Sequence, residues 1–185
     1  MENRDVNSLL ERIAEDDHDA FRIFYDSHYL QVYRFASYFI TSLQEIEEIV
    51  SDVFCAIWQR RKKLTNIEYF ERYLYTITKN RAFYYHRREN NKIQVDFETL
   101  SETLTHNENP EHIAIDKELT LSLKAAIDAL PERCRTIFLM AREEKLKYKE
   151  IAEILSISEK TVNAQMVLAI KKLSQRLGDI VLFLF

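Results

Sequence analysis

The chain holds one glycine and two prolines in 185 residues, where ordinary usage of roughly 7% Gly and 5% Pro would supply about twenty such residues. A β-sandwich, a barrel or a βαβ fold needs those residues at its tight turns. Their scarcity excludes such architectures and predicts an all-α fold. A single glycine also cannot build a phosphate-cradling loop, and no serine sits in a nucleophile elbow. Cysteine is equally sparse. Cys55 and Cys134 lie far apart inside apolar helical patterns, which argues against a disulfide framework or a thiolate zinc cluster and predicts two buried thiols in a reducing compartment. The longest apolar run, residues 180–185, falls far short of the roughly 20 residues that span a membrane. The start, MENRDVNSLLERIAEDD, lacks the basic beginning and apolar core of a secretory signal. A cytoplasmic protein without stable membrane insertion is expected. The histidines at 18, 28, 86, 106 and 112 are scattered, with no carboxylate or cysteine at ligand spacing. Neither a metal nor another cofactor is expected, and without a catalytic constellation the chain does not read as an enzyme.

What the chain does contain is 46% hydrophobic and 12% aromatic side chains, enough to build cores in one large or two small domains. Its net charge of −4 hides a segmental pattern. Residues 1–52 carry four basic and twelve acidic side chains (−8), and 53–92 carry ten and three (+7). Residues 93–118 carry one and seven (−6), and 119–185 carry eleven and eight (+3). Two basic segments, each preceded by an acidic one, suggest two modules that meet a polyanion and acidic stretches that meet something else.

Apolar spacing predicts the helices. Phe21, Phe24, Tyr25, Val32, Phe35, Ala36 and Phe39 form one stripe, and Ile46, Ile49, Val50, Val53, Phe54, Ile57 and Trp58 another. Ser42 with Glu45, and Thr65 with Glu68, match the S/T-x-x-E capping box that satisfies orphaned N–H groups at a helix start. A third helix is expected from about Tyr69 to Arg88. The text NNKIQVDFETLSETLTHNEN then loses its period, which reads as a flexible acidic linker. Asn109, Pro110 and Glu111 look like an N-cap, an N1 proline and an acidic first turn. The expected layout is therefore two helical domains, 1–90 and 110–185, joined by a linker at 91–109.

Two surfaces carry chemistry. In YKEIAEILSISEKTVNAQMVLAIKKL, Ile151, Ala152 and Leu155 face inward on a short helix, Ser156-Ile157-Ser158 makes the turn, and Val162, Met166, Ala169, Ile170 and Leu173 face inward on the next. The small Ala152 lets two helices cross steeply, as in a helix-turn-helix. Lys160, Thr161, Asn163, Ala164, Val167, Leu168 and Lys171 then face outward, with Gln165 at the flank. A major groove suits this set, because Asn and Gln pair bidentately with adenine and Lys pairs with guanine. Lys145, Lys147, Lys149 and Lys172 flank it as phosphate contacts. The helix YFERYLYTITKNRAFYYHRR is predicted to turn Arg72, Thr76, Lys79, Asn80, Phe83 and Arg87 outward and Phe70, Tyr73, Leu74, Ile77 and Tyr84 inward, with Arg81 snorkelling from the apolar side. A cationic face with an aromatic inside it suits unpaired DNA. The acidic helix with Glu45, Glu47, Glu48 and Asp52 repels DNA, so it is either a solvated face or a patch for a basic protein surface.

In this order and spacing the segments resemble the extracytoplasmic-function sigma factors of bacterial RNA polymerase, over about residues 10–177. The resemblance implies that EIEEIVSDVFCAIWQRRKKL docks on the clamp helices of the polymerase β′ subunit, with Glu47, Glu48 and Asp52 as polar contacts and Phe54 and Trp58 as supporting core. It implies that YLYTITKNRAFYYHRR reads the −10 element, with Lys79 and Asn80 at the family's basic-Asn pair, and that residues 64–69 capture a flipped non-template base. Tyr84 departs from the acidic or amide residue common there. LPERCRTIFLM followed by YKEIAEILSISEKTVNAQM is similar to the family's −35-reading domain. That implies base reading by Lys160, Thr161, Asn163 and Gln165 and phosphate contacts from Lys149 and Lys171. Implied partners are core RNA polymerase, through its β′ and β subunits, promoter DNA and an anti-sigma factor, with no small-molecule substrate. The tail IVLFLF resembles tails of some members linked to outer-membrane iron or glycan uptake. The main rival is a stand-alone dimeric helix-turn-helix transcriptional regulator acting on palindromic duplex. A nucleic-acid-processing enzyme would need clustered metal ligands that the sequence lacks. A pure adaptor would be indifferent to changes at Asn80 and Lys160.

Overall fold

The computed structural model describes residues 3–89 and 117–177. Among these every regular element is helical, as the scarcity of glycine and proline predicts. They fall into two units, within 1–94 and 95–185. The expected linker at 91–109, the cap at Asn109–Glu111 and the apolar tail at 180–185 lie outside the described residues.

The first unit holds α1 (Asn3–Ala14), α2 (His18–Ala36), α3 (Leu43–Gln59), a 3₁₀ helix (Arg61–Asn66) and α4 (Phe70–Glu89). Sequence dictates the breaks. Asp17 adopts an extended conformation and its carboxylate accepts from the Ala20 N–H at 2.9 Å, capping α2. That bond, with the Arg12 guanidinium at 2.7 Å, holds the Asp17 carboxyl below the usual carboxylate range. Ser42 caps α3 by accepting from the Glu45 N–H at 3.4 Å, as its motif predicts. Asp16, at φ 68°, pairs with Arg61. The Arg61 guanidinium also lies 4.6 Å over the Trp58 ring, so the α1–α2 corner is tied to the end of α3.

The interior of this unit is aromatic. Phe24 and Phe35 are fully buried, each contributing about 1.5–3 kcal/mol through removal from water. Phe24 meets Phe70 edge-on at 5.5 Å, and Phe35 lies 4.6 Å from Tyr75. Ile46, Ile49, Val50, Val53, Phe54 and Ile57 line the inner side of α3, the predicted stripe.

The second unit holds α5 (Lys117–Asp128), α6 (Glu132–Arg142), α7 (Tyr148–Leu155) and α8 (Glu159–Leu177). Ala126, Leu130, Cys134, Ile137, Met140, Ile151 and Ile154 join Val162, Met166, Ala169 and Leu173 in its core.

Two local expectations fail. Thr65 lies inside the 3₁₀ helix, and the chain leaves that helix at Ile67 in an extended conformation before α4 begins at Phe70. Thr65 and Glu68 therefore do not cap α4. Cys134 is buried as expected, but Cys55 is exposed, because it lies on the outer side of α3, between the inward Phe54 and Ile57.

Candidate nucleic-acid interface

The surface built around α8 begins with a turn that serine fills in place of glycine. Ser156 ends α7 in the left-handed region at φ 59°, ψ 41°. The Ile157 N–H donates to the Ala152 carbonyl at 3.0 Å, closing the helix C-terminus as a Schellman turn does. The Ser158 hydroxyl then accepts from the Thr161 N–H at 3.0 Å and starts α8. Ala152, Ile151 and Leu155 pack inward with Val162, Met166, Ala169 and Leu173, as the inner stripe predicts. Lys160, Asn163, Ala164, Val167, Lys171 and Lys172 are exposed, with Val167 at 59%, while Thr161 and Leu168 are half-buried. Lys145, Lys147 and Lys149 are also exposed around the start of α7.

Gln165 needs correction. It is half-buried, and its side-chain oxygen accepts from the buried Cys134 thiol at 2.8 Å. Bidentate pairing with adenine uses that oxygen, so in this arrangement Gln165 braces α8 against α6.

The second surface lies on α4, and here the helix is turned from the expected orientation by roughly 60° at 100° per residue. Lys79 and Phe83, expected outward, are only 7% and 6% exposed. The Phe83 ring meets Phe39 edge-on at 5.5 Å, and the Lys79 ammonium lies 5.7 Å from the Phe83 centroid. Tyr84, expected inward, is 55% exposed, while Tyr73 and Ile77 are half-buried. Asn80 and Arg87 are exposed as expected. Arg72 and Thr76 are half-buried, with Arg72 lying 4.5 Å over the exposed Tyr69 ring and Thr76 donating to the Arg72 carbonyl at 2.8 Å. Arg81 lies 3.8 Å from Asp52 of α3, so its position on α4 is explained by an ion pair between neighbouring helices. The outward face thus carries more tyrosine and fewer cations than the sequence pattern suggests. Tyr84, expected inward, and Tyr69, expected only as the end of the loop at 64–69, are the aromatic members of the exposed large hydrophobic set. For Tyr84 the signal was the surplus of tyrosines on α4, which can lie on either side.

The loop before α4 borders a polar hollow of about 270 Å³, with Thr65, Asn66 and Glu68 on one side and Asn7 and Glu11 of α1 on the other. The contribution of α1 has no signature in the sequence motif.

A third surface, on α3, is acidic. Glu47 and Glu48 are exposed and the Asp52 side chain is 41% exposed. The Tyr29 hydroxyl donates to both oxygens of Glu47, at 2.8 and 2.9 Å. That bond to a carboxylate, aided by desolvation, raises the Tyr29 pKa to about 12. Gln44 donates to Glu48 at 3.3 Å. Beside these groups the α2–α3 seam opens into an apolar groove of about 440 Å³, lined by Phe21, Tyr25, Phe54, Cys55 and Trp58 among others. Phe54 is buried and Trp58 half-buried, in keeping with their supporting role. Among the described residues no helix is long and apolar enough to cross a membrane, and no His, Cys, Asp and Glu side chains cluster as a metal site.

Comparison with known proteins sets these surfaces in a family. The Sigma-70 region 2 model matches residues 24–92, which run from within α2 through α4, and the Sigma-70, region 4 model matches residues 120–173, which carry the helix-turn-helix. The ECF RNA polymerase sigma factor SigW of Bacillus subtilis is 22% identical over 183 residues, covering 95% of this chain and 98% of SigW. RNA polymerase sigma factor FliA of Pseudomonas aeruginosa is 38% identical over 77 residues, or 42% of this chain, which spans only 31% of that relative's length. CnrH, solved in complex with the cytosolic domain of CnrY, shares the fold with a TM-score of 0.61 and 19% identity, covering 91% of this chain and 94% of CnrH. The chain belongs to the sigma-70 family of RNA polymerase sigma factors, within its extracytoplasmic-function group.

Proposed function

We propose that this chain joins core RNA polymerase through the acidic face of α3, grips the −10 element as unpaired DNA along the outward face of α4, and reads the −35 duplex with α8. The observation that carries the reading is the segregation of three chemistries onto three helices of one chain: carboxylates on α3, tyrosines with arginine on α4, and Lys160, Asn163 and Lys171 outward on α8. Glu47, Glu48 and Asp52 would meet basic side chains of the β′ clamp helices, and the groove beside them would take an apolar side chain from the same partner. An anti-sigma protein covering that groove would withhold the chain from polymerase. The hollow between α1 and residues 65–68 is large enough for one flipped base, with Asn7 and Asn66 at its rim. On α8, Asn163 reads a base edge and Lys149 and Lys171 contact phosphates. The chain works in the cytoplasm as a specificity subunit, and catalysis belongs to the polymerase.

Reconstituted transcription tests this. Core polymerase with the full chain should initiate at a defined subset of a promoter library, and Glu48→Lys with Asp52→Lys should abolish association while leaving the circular dichroism spectrum unchanged. Duplex binding by a dimer, with no association to polymerase, would establish the stand-alone regulator instead.

A further inference from the structure

The three carboxylates on the outer side of α3 have different neighbours. Asp52 lies 3.8 Å from the Arg81 guanidinium, so opposite charge already stands beside it. Glu48 accepts from the Gln44 amide of its own helix at 3.3 Å. Glu47 accepts from the Tyr29 hydroxyl of α2 on both oxygens, at 2.8 and 2.9 Å. A phenol is neutral, so this bond fixes the carboxylate without cancelling its charge. The tyrosine is itself held in place. Its ring tilts against Tyr25 at 5.6 Å and stacks with Tyr33 at 6.1 Å along α2, and it is half-buried while Glu47 is exposed. With its pKa raised to about 12, the hydroxyl stays a donor throughout the physiological pH range.

We propose that Tyr29 is a positioning residue for polymerase docking: it holds Glu47 as a pre-ordered, charged acceptor for a single N–H donor of a basic side chain that arrives from the side. This rests on the reading of α3 as the docking face and adds the residue that prepares one of its charges. An exposed glutamate gives up rotamer freedom when a partner fixes it. Tyr29 removes that freedom in the free chain, so docking does not bear the cost again. The direction of approach follows from the acceptor geometry. A carboxylate offers about four acceptor sites, and a hydroxyl shared between both oxygens takes the two that face it head-on, the position a forked guanidinium would need. One outward site then stays open on each oxygen, which suits an ammonium or one arm of an arginine.

The test titrates the full chain, carrying a fluorophore at its N-terminus, with core polymerase. Tyr29→Phe keeps the ring contacts and removes only the hydroxyl, so its circular dichroism spectrum should match that of the parent chain. Association should weaken about three- to tenfold, and Glu47→Ala should weaken it at least as much. In the Glu47→Ala background, Tyr29→Phe should cost less than about 1.5-fold further, because its effect passes through the missing carboxylate. Equal losses in the two backgrounds overturn the proposal, since the hydroxyl would then act by packing or through another group. Unchanged association for Tyr29→Phe overturns it as well. So does tighter association, which would show that the hydroxyl competes with a forked guanidinium for the head-on position. If Glu47→Ala binds as the parent does while Glu48→Lys with Asp52→Lys abolishes association, the positioning role falls and the docking face stands. Should that double reversal leave association intact, or the parent chain fail to join polymerase, the docking reading falls and the positioning role with it.

Discussion

Replacing Phe83 by alanine separates a core role from a DNA-stacking role at the position where sequence pattern and structure disagree. The ring is 6% exposed, packs edge-on against Phe39 at 5.5 Å and lies below the Lys79 ammonium at 5.7 Å. Truncating a buried phenylalanine typically costs about 3–5 kcal/mol through lost transfer energy and the cavity left behind. That is a large share of the roughly 5–15 kcal/mol that stabilises a domain. With a urea m-value of about 2 kcal/mol per M, the unfolding midpoint of the first unit should fall by about 1.5–2.5 M. Trp58 is the only tryptophan in the chain and lies in the first unit. Its ring sits 4.6 Å from His18 and 4.9 Å from Phe21, so its fluorescence reports unfolding of that unit in the intact chain. Asn80→Ala, at an exposed position on the same helix, should shift stability by no more than about 0.5 kcal/mol. An unchanged midpoint for Phe83→Ala, together with lost promoter opening, would refute the buried placement and return the residue to the DNA face.

Further outcomes follow from individual contacts. His28 is buried, stacked on Phe24 at 4.3 Å, with its Nδ1 within 3.0 Å of the Phe24 carbonyl. Desolvation lowers its pKa below 6.5, against the raising effect of that carbonyl. The stability linked to a neutral His28 is therefore present above about pH 6.5 and is lost as pH falls through the lower folded-state value. Thermal unfolding from pH 7.5 to 5.5 should show a decline that flattens in His28→Phe, and an equal decline in both would discount the group. Ser156→Gly should stabilise the second unit by about 0.5–1 kcal/mol, since glycine adopts the left-handed turn without a Cβ clash; urea unfolding followed by circular dichroism reads this, and a loss of stability would mean that the serine side chain supports the turn. Asn163→Ala should relax preference at one base pair of the −35 duplex by about 1–3 kcal/mol, whereas Lys171→Ala should weaken all sequences alike and reduce the salt slope by about one. Competition binding across single-base variants at two salt concentrations distinguishes the two, and a uniform loss for Asn163→Ala would make it a backbone contact.

The legibility of each helix depended on how cleanly its side chains divide. On α8 the inner positions Val162, Met166, Ala169 and Leu173 are aliphatic, and the outer ones include Lys160, Asn163 and Lys171, so one stripe accounts for the whole helix. The same holds for α3, where glutamates alternate with isoleucine and valine at helical spacing. On α4 tyrosine, phenylalanine and long cations occur all round. Each of these side chains has an apolar body with a polar tip or stem, and can be buried or exposed. Tertiary partners decide the outcome: Phe39 recruits Phe83, Gln31 donates to the Tyr75 hydroxyl at 2.7 Å, and Asp52 draws Arg81 sideways. None of these partners lies on α4, so periodicity within the helix could not reveal them. The Thr65 motif failed for a related reason, because a capping box written in sequence does not distinguish an α-helix start from a 3₁₀ turn.

The observed orientation of α4 also bears on how the two units would divide the proposed work on DNA. With Lys79 withdrawn and Arg81 beside Asp52, the outward face of α4 relies on ring area more than on charge, whereas α8 is flanked by Lys149, Lys160, Lys171 and Lys172, all exposed. Phosphate contacts release counterions and weaken steeply with salt, while stacking is less sensitive to it. The duplex-reading unit would therefore supply the salt-sensitive attraction that brings the promoter in, and the α4 face would contribute mainly once bases have separated. A chain of net charge −4 gains little from either surface alone. Held together on polymerase, the second contact becomes intramolecular and adds its energy without a second association cost. If α4 meets only separated bases, as proposed, that added energy would favour the melted promoter over the closed one.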